Sequence, residues 1–101
     1  MWTELSDPAI LKRLGVRIRE YRMRMEFTQG ELAEKSGVSM GSIVRLEQGY
    51  PVSTLLLVSI LRTLGLLDNL TMLLPELGLS PIQMKKMQGK KKTRIRHKKE
   101  G

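Results

Sequence analysis

Apolar residues recur along the first part of the chain at helical spacing. Leu11, Leu14, Ile18, Tyr21 and Met25 follow one another at steps of 3, 4, 3 and 4, which marks one face of an amphipathic helix. Pro8 suits the first turn of that helix, with Asp7 or Ser6 as its cap. Arg17, Arg19, Arg22 and Arg24 occupy the remaining surface. Phe27 follows, and then Thr28 with Glu31 three residues on, a capping-box spacing that opens a second helix over 29–36. Leu32 and Ala33 are its inward positions and Gly37 ends it. Ser39 caps a third helix over 40–48, with Ile43 and Leu46 on its apolar side and Gly49 closing it. Ser53 caps a fourth, running through Leu55, Leu56, Val58, Ile60, Leu61 and Leu64 to Gly65. A fifth is predicted from Leu66 or Leu67 to Leu74, stopped by Pro75. No alternating apolar and polar stretch of useful length occurs. The expected class is all-α, five short helices with loops of about 2 to 5 residues. Leu14, Ile18, Leu32, Ala33, Val38, Ile43, Leu46 and the leucines of the fourth helix are the expected core.

Charge divides the chain further. The 101 residues carry 18 Lys+Arg against 10 Asp+Glu, a formal charge of +8. Up to Met84 the 9 basic and 9 acidic residues cancel, whereas the last 17 residues hold 9 basic residues and one acid, Glu100. Only Met87 and Ile95 are large and apolar there, too little buried surface to offset the entropy of ordering, so this tail is expected to be disordered. Pro75, Gly78 and Pro81 mark the boundary. The expected organisation is a domain over 1–74, a linker over 75–84 and a basic tail over 85–101. Lys90, Lys91, Lys92, Arg94 and Arg96 are the tail's candidates for phosphate contact. The other readings of such a run are solubility, docking to an acidic protein or, in a eukaryotic cell, nuclear import. An anionic membrane surface is disfavoured, because 85–99 has no sustained apolar face.

Composition narrows the chemistry. There is no cysteine, hence no disulfide framework, thiol nucleophile or cysteine metal site. The one histidine, His97, lies in the lysine run. Neither paired carboxylates in a plausible cleft nor a Gly-rich phosphate loop is present, so no enzyme, catalytic residue, metal ligand or cofactor is expected. No apolar run approaches 18 residues and residues 1–7 lack a secretory pattern, which places the expected site of action in the cytoplasm.

Two short helices joined by a tight Gly-containing turn have helix-turn-helix spacing. The segment Leu14 to Gly49, LGVRIREYRMRMEFTQGELAEKSGVSMGSIVRLEQG, resembles the XRE/Cro–C1 repressor family of DNA-binding domains. The match rests on the L-G-x-R-I-R-x-x-R opening, T-Q at the start of the second helix, E-L-A within it, the G-V-S turn and the I-x-x-L-E-x-G ending of the third. The resemblance implies a lambda-repressor-like five-helix domain whose third helix enters the major groove. It sets Ser39, Met40, Gly41, Ser42 and Arg45 against DNA. Arg45 is the candidate base reader, since a guanidinium bonds guanine O6 and N7 together, worth roughly 1–3 kcal/mol of discrimination. Pairing with phosphate alone is its other role. Met40 can touch a thymine methyl. Gly41 departs from the family pattern, offers no side chain and costs up to ~1 kcal/mol of helix propensity, with close backbone approach to DNA as its merit. Gln29 matches the family's phosphate-anchoring glutamine, at a helix N-terminus suited to anions. Arg22 and Glu47 match a buried ion pair that ties the first helix to the end of the third.

Members of this family bind DNA as twofold dimers, with half-sites roughly 34 Å apart. Leu66, Leu67, Leu70, Met72, Leu73 and Leu74 are more apolar than a short terminal helix needs, and are the candidate dimer interface, with closure of a monomer core as the alternative. The layout of QGYPVSTLLLVSILRTLGLLDNLTMLLPE followed by SPIQMKKMQGKKKTRIR is similar to HipB-like regulators, encoded beside HipA-family kinases. That likeness implies an antitoxin that represses its own operon at a palindromic operator and has a HipA-like kinase toxin as partner. The competing class is a helix-turn-helix adaptor that bridges proteins and binds nucleic acid non-specifically through its tail.

Overall fold

The computed structural model describes residues 1–78. Lys90, Lys91, Lys92, Arg94 and Arg96 lie outside them. Five helices form: α1 (Asp7–Arg24), α2 (Gln29–Ser36), α3 (Met40–Gln48), α4 (Thr54–Thr63) and α5 (Leu70–Leu73). A 3₁₀ turn over Trp2–Glu4 precedes α1, and another over Leu67–Asn69 runs into α5. No strand occurs among the described residues, so the class is all-α.

Each of the four longer helices is opened by a hydroxyl. Ser6 accepts from the Ala9 amide at 3.3 Å, Thr28 from Glu31 at 3.0 Å, and Ser39 and Ser53 from Ser42 and Leu56, each at 3.1 Å. At α2 the box is complete, because the Thr28 amide donates to Glu31 Oε1 at 2.8 Å. The Thr28 amide, and then its hydroxyl, hold the Glu31 carboxyl below its ordinary range. Gly37 and Gly49 end α2 and α3 in the left-handed region, at φ 71° and 93°. That turn lets Val38 donate to the Ala33 carbonyl and Tyr50 to the Arg45 carbonyl, each at 3.0 Å. The α2–turn–α3 unit is thereby fixed at both ends by local chemistry.

Ile18, Leu32, Ala33, Ile43, Leu46, Ile60 and Leu64 form the core, ringed by half-buried Phe27, Val38, Val52, Leu56, Leu57 and Leu66. α3 packs against α1 and α2, and α2 also against α4. A polar link crosses the α2–α4 contact, where Ser36 Oγ donates to Thr63 Oγ1 at 2.8 Å.

The face that α1 buries differs from the expected one. Leu14 is 39% exposed, and Tyr21 and Met25 are each 41% exposed. The buried stripe is Gly15, Ile18 and Arg22, with Leu11 half-buried behind it. Hydrophobic periodicity overlooks this register because a glycine and an arginine occupy two of its positions. A Cβ on Gly15 would lie 2.5 Å from the Leu46 carbonyl oxygen and 2.6 Å from that of Glu47. The α1 backbone therefore rests directly on the last turn of α3, and Leu14 is turned onto the flank.

Two further expectations are corrected. In α4 only Ile60, with Leu64 just after it, is fully buried, while Leu55 is 75% exposed. The fifth helix is four residues long after a 3₁₀ turn, not continuous from Leu66 or Leu67 to Leu74. Leu74 has left the α region at φ −133°, ψ 74°, as the residue before a proline is driven to do.

Gly15→Ala should cost about 1–3 kcal/mol, since the added methyl meets rigid backbone rather than a side chain that can swing away. Urea denaturation followed by circular dichroism measures it, and an unchanged midpoint would mean that α1 is not held against α3. The Glu31 carboxyl should titrate below the range of an unstructured glutamate peptide, seen by carbon-detected NMR. Its folded-state pKa is depressed, so the capping contribution is complete above the unfolded value and is lost as pH falls through the folded one. Thr28→Val should raise that pKa.

Candidate nucleic-acid interface

α3 has two faces of different character. Ile43, Leu46 and Glu47 point inward. On the opposite side Gly41, Arg45 and Gln48, at steps of 4 and 3, are all exposed. Met40, at the first helical position, is 55% exposed. Arg45 has no carboxylate within ion-pair distance among the described residues, so its guanidinium is available to a ligand. Ser39 and Ser42 are partly committed to each other, with hydroxyls 2.8 Å apart beside the capping bond. A Cβ at Gly41 would meet nothing within 4 Å. Packing within the domain thus gives no reason for a glycine at this position.

The start of α2 adjoins this face. A Cβ on Gly30 would be 3.7 Å from Met40 Sδ, which puts the first turn of α2 beside the first residue of α3. The Gln29 and Gly30 amides, the first two of α2, have no acceptor among the described residues. The Gln29 side chain is half-buried, and its Nε2 donates to Glu47 Oε1 at 3.1 Å.

That carboxylate belongs to a buried network. Arg22 Nε donates to Glu47 Oε2 at 2.6 Å and Nη2 to Oε1 at 3.2 Å. Arg22 Nη1 donates to the Phe27 carbonyl at 2.7 Å. The Arg22 and Glu47 side chains are only 10% and 4% exposed. Four hydrogen bonds therefore tie together the end of α1, the loop after it, the start of α2 and the last turn of α3. The family resemblance pairs Arg22 with Glu47 but gives no sign that Gln29 and the Phe27 carbonyl join them. A loop carbonyl leaves no trace in residue type, and Gln29 suits both an inward and an outward role. Gln48 is an addition to the candidate residues. Helical spacing alone, seven residues on from Gly41, could have found it, but it lies outside the motif positions.

The remaining candidates lie elsewhere. Leu66, Leu67 and Leu70 are half-buried, whereas Met72, Leu73 and Leu74 are 82%, 70% and 75% exposed. The candidate dimer set is thus split between packing within the domain and open apolar surface. Arg13 and Arg17 lie over the Trp2 ring, 5.8 and 5.5 Å from its centroid, and fasten the N-terminal turn to α1. Among the described residues no cluster of three His, Cys, Asp or Glu could hold a metal ion, and no helix is long and apolar enough to cross a membrane.

A family model described as a helix-turn-helix domain matches residues 13–74. An uncharacterized HTH-type transcriptional regulator of Methanothermobacter thermautotrophicus is 47% identical over 49 residues, which make up 48% of this chain and 71% of that protein. The family match takes in the Arg22–Glu47 network, Gln29 and the whole exposed face of α3, and the chain belongs to the XRE-like helix-turn-helix domain family.

Proposed function

We propose that the protein is a sequence-specific DNA-binding transcriptional repressor that reads a major groove with the exposed face of α3. The observation that carries this reading is the juxtaposition of two surfaces. One is the open Gly41–Arg45–Gln48 face, whose guanidinium has no ion-pair partner among the described residues. The other is the first turn of α2, where Gln29 and two amides without an acceptor among those residues adjoin Met40. The first supplies base-edge contact and the second phosphate contact, the division of labour that protein–DNA recognition requires. The relative's printed description as a transcriptional regulator supports the same reading.

Finer parts of the proposal rest on other observations. A twofold dimer on a palindromic operator fits the need of a small domain to join two half-sites, and exposed Leu73 and Leu74, with half-buried Leu66, Leu67 and Leu70, are its proposed contact. Autoregulation of a HipBA-like operon as the antitoxin rests on the sequence layout alone, as does a HipA-like kinase partner. Lys90, Lys91, Lys92, Arg94 and Arg96 are proposed as a non-specific phosphate arm.

Fluorescence anisotropy with the duplex upstream of the protein's own gene, against a scrambled duplex at two salt concentrations, tests the core of the proposal. A preference of about 10³ or more that survives added salt is expected. Binding that is equal for both duplexes and collapses with salt would overturn autoregulation at that promoter. Arg45→Ala should lose roughly 1–3 kcal/mol of discrimination while retaining non-specific affinity. Removal of residues 85–101 should instead weaken all duplexes alike and flatten the salt dependence by about 0.9 for each phosphate that the tail neutralises. Gly41→Ala should move two readouts in opposite directions. The free fold gains up to ~1 kcal/mol, because the methyl enters open space on a helix, while affinity for the preferred duplex falls. A thermal melt and an anisotropy titration on the same sample check both signs, and unchanged affinity would remove close DNA approach as the reason for Gly41.

A further inference from the structure

We propose that Glu47, although buried and outside any direct contact, is the positioning residue that aims the Gln29 amide at a DNA phosphate; this rests on the DNA-binding reading above. Glu47 Oε1 accepts from Gln29 Nε2 at 3.1 Å and from Arg22 Nη2 at 3.2 Å. A carboxylate only accepts hydrogen bonds, so it fixes which end of the amide turns inward. Without it the amide can flip by 180° and present its carbonyl where its nitrogen stood. With it, Nε2 uses one N–H on Glu47 and keeps the second. Gln29 is the first residue of α2, and its backbone amide and that of Gly30 also have no acceptor among the described residues. In the proposed complex these three N–H groups are assigned to one phosphate.

The charge balance of the network supports the same role. An isolated carboxylate this close would repel a phosphate. Arg22 neutralises it through both oxygens, so Glu47 orients Gln29 without presenting net negative charge. The arrangement also links the phosphate contact to α3. Glu47 is in the last turn of the helix that also carries Met40 and Gly41 in its first turn and Arg45 in its last. Phosphate anchoring and base reading are set by one rigid body.

The test is a double-mutant cycle in the full chain, using a duplex that the wild-type protein itself selects from a random library. Gln29→Ala, Glu47→Gln and the combined variant are titrated by anisotropy at a temperature where circular dichroism shows each folded. Glu47→Gln should weaken wild-type binding by about tenfold and the Gln29→Ala background by less than about twofold, the non-additivity expected of coupled neighbours. Equal fold-losses in both backgrounds would show that Glu47 acts on the fold alone and would overturn the inference. A second variant separates aim from stability. Arg22→Met combined with Glu47→Met replaces the buried pair by apolar groups, a change that often leaves stability intact. It should melt near the wild-type temperature yet bind the selected duplex about tenfold more weakly. Wild-type affinity in that variant would overturn the inference, and if it fails to fold the cycle decides. Failure of the wild type to enrich any sequence would instead sink the DNA-reading proposal, and this inference with it.

Discussion

The place where α1 meets the last turn of α3 sets the geometry of the rest. Two charges are taken out of water there, Arg22 and Glu47, at a desolvation cost of several kcal/mol each. Such a pair is held by further hydrogen bonds to its members, and two are present: the Phe27 carbonyl accepts from Arg22 Nη1, and Gln29 donates to the carboxylate. Those partners come from the loop after α1 and from the start of α2, so satisfying the pair fixes both. The approach is close only because residue 15 is a glycine, which lets the α1 backbone lie on the Leu46 and Glu47 carbonyls. Glycine and ion pair act on the same turn of α3 from the two ends of one helical stripe, with Ile18 between them, and together they set the rotation of α3 about its own axis.

That rotation decides what α3 shows to the outside. With Ile43, Leu46 and Glu47 held inward, Gly41, Arg45 and Gln48 must point away. Packing and the proposed reading surface thus occupy opposite sides of one nine-residue helix. On the inward side Leu46 is packed and the Glu47 charge is compensated by Arg22. The first turns carry an exposed methionine, a glycine that the fold does not need and, just beyond them, a guanidinium with no ion-pair partner among the described residues. Local departures from good helix-building concentrate where a ligand is proposed to sit, which is where a functional surface is expected to violate them.

The sequence reveals those parts of the fold that are governed by neighbours in the chain. The Thr28–Glu31 box, the Ser39 and Ser53 caps, and the glycine ends of α2 and α3 are short-range chemistry, and α2 and α3 lie where the residues put them. Long-range packing is less legible. The register of α1 depends on Gly15 and Arg22, which are buried for reasons no hydropathy pattern contains: one has no side chain and the other is charged. The pattern therefore selects Leu14, Tyr21 and Met25, which flank the true face. At the end of the domain, leucine richness suggests a continuous helix where the chain forms a 3₁₀ turn over Leu67–Asn69 and then four α-helical residues. At the candidate interface the residue types are informative while their partners are not. Gln29 is recognisable by position, but its bond to Glu47 arises from two residues 18 apart in sequence.

Charge and specificity are separated along the chain, and the separation has a physical consequence. Residues 1–84 have no net charge, so long-range attraction to a polyanion is weak for that part of the molecule. Any sequence preference it has must come from short-range contacts, which require the correct rotation of α3 and the correct orientation of Gln29. The excess of basic residues lies in the last 17 positions, and attraction of such a run to a polyanion is indifferent to sequence and falls steeply with salt. On the proposed reading, one segment raises the encounter rate while the other selects. Such a division tolerates wide variation in the composition of the basic segment and very little at Gly15. A side chain there would push α1 off the last turn of α3, whereas replacing one tail lysine removes a single charge among many.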